Sequence, residues 1–117
     1  MARNSWHMLR ENGAVVLTRQ VPPQFDLSAE ARINVSGGLS LSALAQQVRQ
    51  DTWRALRAVR GFAPAVRVER DADTVTITSG GRVPRTGNMA WIERKVQDVL
   101  DDPANRRRWL AHAGRRS

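Results

Sequence analysis

From Ser40 to Phe62 the residues Leu41, Leu44, Ala45, Val48, Thr52, Ala55, Leu56 and Val59 recur at the i, i+3, i+4, i+7 spacing of a single helical face. A long helix with one apolar stripe has to bury that stripe, so the rest of the chain must supply a layer to receive it. Ser40 provides an N-cap oxygen, Gly61 suits a left-handed turn near the end, and Pro64 prevents the helix from continuing.

On both sides of this segment the period changes to two. Ala14 to Val21 is apolar and β-branched and stops at Pro22-Pro23, which predicts a strand. Ala31, Ile33 and Val35 alternate with Arg32, Asn34 and Ser36, a second strand ended by Gly37-Gly38. After the helix, Val66 and Val68 alternate with Arg67 and Glu69, while Val75 and Ile77 alternate with Thr74, Thr76 and Thr78. Asp71-Ala72-Asp73 between them makes a hairpin turn. Ser79-Gly80-Gly81 and the stretch Pro84 to Gly87 read as a connection. Asn88 then caps a second helix running to about Asp101, striped by Met89, Ile92, Val96, Val99 and Leu100. Asp102 followed by Pro103 signals a third, short helix through Trp109 and Leu110 to Gly114.

These elements predict an α+β fold, a two-layer sandwich with a mostly antiparallel four-stranded sheet in β-β-α-β-β-α order. Two helices would cover one face, and a short C-terminal helix would follow. The length of 117 residues fits a single domain. We expect residues 1–102 to form it, with 1–12 flexible and 103–117 a basic C-terminal helix and tail. The second sheet face would carry Arg32, Asn34, Arg67, Glu69, Thr76 and Thr78.

The absence of cysteine excludes disulfides, thiolate metal sites and cysteine nucleophiles. No apolar run reaches the roughly 18 residues of a membrane-spanning helix. The start, Met1 to His7, lacks the apolar stretch of a secretory signal, which predicts a cytoplasmic protein without a membrane partner.

The formal charge is +8, from 19 basic and 11 acidic residues, which makes polyanions such as nucleic acid a candidate partner. All the basic residues but Lys95 are arginine, an imbalance that GC-rich coding also produces, so position says more than number. Residues 1–102 hold 14 basic and 11 acidic side chains, whereas 103–117 hold five arginines and no acid.

Two groups of residues follow as candidates for nucleic-acid or anion binding. Arg49, Trp53, Arg57 and Arg60 share a flank of the long helix, and tryptophan interleaved with arginine offers stacking together with phosphate contacts. The bland alternative is a boundary tryptophan covered by arginine stems. The second group is the tail, Arg106, Arg107, Arg108, Arg115 and Arg116, which reads equally as a solvated helix end. Trp91, Arg94, Lys95 and Trp109 are candidates for a protein interface or self-association, with packing of Trp91 beneath the terminal helix, beside Trp109, as the alternative.

The Ser-Gly-Gly segments match neither phosphate-loop pattern and read as turns, although Arg82 and Arg85 flank the second. His7 and His112 lie at opposite ends of the chain, and neither has a second histidine at ligand spacing, so no metal, cofactor or catalytic set is evident. The expectation is a small basic non-enzymatic binding module for RNA or DNA. Its rivals are a protein-interaction or homodimeric assembly module and, more remotely, an enzyme acting on an anionic substrate.

Overall fold

The computed structural model describes residues 6–19, 21–83 and 88–114. The described residues form an α+β structure of five strands and three helices: β1 (His7–Glu11), β2 (Ala14–Thr18), β3 (Leu27–Asn34), α1 (Leu41–Leu56), β4 (Ala63–Asp71), β5 (Thr74–Arg82), α2 (Met89–Asp101) and α3 (Pro103–Ala113). The strands form one sheet in the order β1-β2-β4-β5-β3, and every neighbouring pair is antiparallel.

The expected four-stranded sheet is corrected by β1, which arises in the stretch read as flexible. Its apolar residues Met8 and Leu9 are adjacent rather than alternating, so the period-two signal is weak. The signal that does exist is Asn12-Gly13, a two-residue hairpin loop pairing Glu11 with Ala14, with Gly13 at φ +70°. β3 also begins earlier than its Ala31 signal, because Leu27 and Ala29 extend the buried alternation.

A second correction concerns Ser79-Gly80-Gly81, which lies inside β5 rather than in a turn. A Cβ at Gly80 would collide with the Leu27 carbonyl of β3, and one at Gly81 with the Ala63 carbonyl of β4. The glycines here admit close backbone approach on both sides of the strand.

α1 stops at Leu56, with Arg57 as its αR C-cap, and the chain turns through Gly61 at φ +77°. Arg60 therefore lies beyond the helix. Ser40 caps the start by accepting the Ala43 N–H at 3.2 Å.

One face of the sheet carries Val15, Leu17, Leu27, Ala29, Ala31, Val66, Val68, Val75 and Ile77, packed against the apolar stripes of α1 and α2. α1 lies over β2 and β4, and α2 over β3 and β5. Within this interface the hydroxyls of Thr52 on α1 and Ser79 on β5, both wholly buried, hydrogen-bond to each other at 2.9 Å.

α3 adds a third layer against α1 and α2. Asp102 caps it by accepting the Ala104 N–H at 2.8 Å, with Pro103 in the first turn. Trp109 lies in the same core cluster with no exposed surface, which corrects its reading as an interface residue. Its indole N–H donates to Asp51 Oδ2 at 2.6 Å. At its end α3 is held by the Ser40 N–H, which donates to the Ala113 carbonyl at 2.9 Å.

Candidate nucleic-acid interface

The β1–β2 hairpin and one side of α1 build a single aromatic and cationic flank. The register His7↔Thr18, continued by one residue, sets Trp6 beside Arg19 at the open end of the hairpin. By strand alternation both fall on the face of Met8 and Leu17, the face that α1 covers. Arg49 of α1 meets them there. Its guanidinium carbon stands 4.7 Å from the centre of the Trp6 ring, and that of Arg19 stands 5.5 Å away.

This geometry concentrates positive charge. Partial burial lowers the basicity of Arg49, and the neighbouring Arg19 lowers it further by like-charge repulsion. Among the described residues no carboxylate forms an ion pair with Arg49. One helical turn on, Trp53 is 45% exposed, and Arg57 continues the same line at the helix end. The structure thus brings together Arg49, Trp53 and Arg57, adds Trp6 and Arg19, and leaves Arg60 in the turn that follows. Trp6 and Arg19 carried no motif of their own; the Asn12-Gly13 hairpin signal would have paired them.

The arginines of α3 are placed differently. At about 100° per residue, Asp51 and Trp53 lie on opposite sides of α1, and α3 sits on the Asp51 side. Arg108 donates to Asp51 Oδ2 and to Asn105 Oδ1, each at 2.7 Å. Arg106 donates to the Leu100 carbonyl at 2.7 Å, at the C-terminal end of α2, and pairs with Asp101 at 3.2 Å. Both are occupied in holding α3 to the body. Arg107 is exposed, and Arg115 and Arg116, like Arg85, lie outside the described residues.

The second sheet face is largely neutralised by its own pairs. Arg67 binds Glu69 at 2.8 Å and Glu11 at 3.4 Å, and the Glu69 hydrogen bond is the main reason its guanidinium is more basic than usual. A polar cavity of about 510 Å³ on this face has acids and arginines in its lining, including Arg32, Glu69, Arg70 and Asp71. On α2, Trp91 is 46% exposed with Lys95 5.4 Å over its ring, and Arg94 is exposed nearby.

Beyond the end of β3, the Gly37 carbonyl accepts a hydrogen bond from Arg70 at 2.7 Å. Arg82 neighbours Asp26, whose carboxylate accepts the Val83 N–H at 3.0 Å. Among the described residues no group of three or more histidine, aspartate or glutamate side chains is placed to hold a metal ion. No described helix is long and apolar enough to cross a membrane.

Compared with known protein families, curated proteins and solved structures, the chain matches none.

Proposed function

We propose that this protein is a small binding module for single-stranded nucleic acid, and that the flank formed by Trp6, Arg19, Arg49, Trp53 and Arg57 is its contact surface. The observation that carries this reading is the convergence of Arg19 and Arg49 on one tryptophan ring, with a second, exposed tryptophan one turn away. Two like charges held together repel each other, and a phosphate placed beside them relieves that repulsion. An exposed tryptophan such as Trp53 can stack an unpaired base, a contact available to any sequence. The flank therefore favours sequence-tolerant binding of unpaired strands over reading base edges in a duplex groove.

Titrating a fluorescent random-sequence oligonucleotide with the protein tests the reading. The logarithm of the affinity should fall linearly with the logarithm of salt concentration, and single strands should bind more tightly than duplex. Absence of binding at low salt rules the proposal out.

The exposure of Met89 (40%) and Trp91 (46%) at the start of α2 favours a second reading, a protein-docking surface. Its complexes would be far less sensitive to salt.

A further inference from the structure

Independently of nucleic acid, we propose that the outer edge of β3 is a self-association edge, on which two copies of this chain pair antiparallel about Ala31. β3 ends the sheet on the side away from β1, and it is eight residues long. Long edge strands present unpaired backbone donors and acceptors. Which residues present them follows from one hydrogen bond. The Val35 N–H donates to the Asp73 carbonyl at 2.7 Å, so Val35 and the odd-numbered residues before it turn their backbone groups toward β5. Ser28, Glu30, Arg32 and Asn34 turn theirs outward. The Glu30 carbonyl is indeed reached from α2, by the Gln97 side-chain amide at 3.1 Å. Among the described residues that is the one partner the outward backbone groups of these four have.

A second copy fits this edge through both its backbone pattern and its charge. Outward groups must face outward groups, so even-numbered residues of one strand stand opposite even-numbered residues of the other. A two-fold centred on Glu30 sets glutamate against glutamate, and one centred on Arg32 sets arginine against arginine. Centred on Ala31, Glu30 of each copy faces Arg32 of the other, twice over, and Ser28 faces Asn34. This register pairs Ser28 to Asn34, all of β3 but Leu27. The Arg32 N–H of the second copy then takes the Glu30 carbonyl in place of Gln97, whose amide keeps its bond to Asp101 Oδ1 at 3.1 Å. All four charged side chains project on the sheet face opposite the helices, where they are exposed. The two sheets become continuous, and the Trp6–Arg49 flanks remain free near the two far edges.

Sedimentation equilibrium of the nucleic-acid-free protein, from micromolar to millimolar concentration, reads this directly. The mass should rise from 13.1 kDa toward twice that value. Glu30→Arg or Arg32→Glu alone should raise the dissociation constant by roughly tenfold, and the double swap E30R/R32E should restore it. Amide hydrogen exchange at Glu30 and Arg32 should slow as concentration rises, a readout that needs no substitution. A mass of 13.1 kDa at every concentration, or a double swap no tighter than the single variants, overturns the proposal.

Discussion

The indole N–H of Trp109 donates to Oδ2 of Asp51 at 2.6 Å across the α1–α3 interface, and the ring has no exposed surface. This contact makes the basic C-terminal helix part of the packed body. Trp109→Ala should therefore lower unfolding free energy by about 3–5 kcal/mol, a large share of the roughly 5–15 kcal/mol a domain possesses. Urea denaturation checks it. A loss under about 1 kcal/mol would mean that α3 does not dock as described.

The Thr52–Ser79 hydroxyl pair is buried between α1 and β5. Removing one hydroxyl leaves the other without a partner in the core, so Thr52→Val or Ser79→Ala alone should cost about 1–3 kcal/mol. The double variant should cost less than the sum of the two, because no polar group is stranded. A double-mutant cycle in urea measures the coupling, and strict additivity would deny the bond.

Asp26 supplies a pH dependence. The hydrogen bond from the Val83 N–H is the main cause that holds its carboxyl below the usual range, helped by the Gln24 amide, opposed by burial and helped last by the charge of Arg82. A carboxyl whose folded pKa is depressed contributes stability above its unfolded pKa, near 3.9, and loses it as pH falls through the folded pKa. Asp26→Asn should thus melt below the parent protein at pH 7. The gap should close in acid beneath that range, and a gap independent of pH would contradict the assignment.

Strong periodicity made much of this fold legible in the sequence. The 3.6-residue stripe of α1 as far as Leu56, the Asp102-Pro103 start of α3 and the alternation around Val75 and Ile77 stand where their patterns place them, whereas Val59 and Phe62 fall beyond the end of the helix. β1 was hidden because a five-residue edge strand with adjacent Met8 and Leu9 owes its existence to pairing with β2, not to its own pattern. Gly80 and Gly81 read as a turn because the demand for glycine comes from neighbouring strands distant in sequence. The candidate site was half legible. Helical spacing joins Arg49 to Trp53, whereas Trp6 and Arg19 reach them only through hairpin register. Trp109 stood among the interface candidates because its partner, Asp51, lies far away in the chain.

Single-strand binding of three variants, compared with the parent protein across a salt series, decides whether the α1 flank or the C-terminal arginines meet nucleic acid. Trp53→Ala should weaken binding by about 1–3 kcal/mol at every salt concentration, the value of one base stacked on an aromatic ring. Arg49→Ala should weaken it and reduce the salt slope by about one unit. Arg107→Ala, on the exposed side of α3, should change both far less. Full affinity in the Trp53 and Arg49 variants together with loss in the Arg107 variant would return the binding surface to the C-terminal arginines.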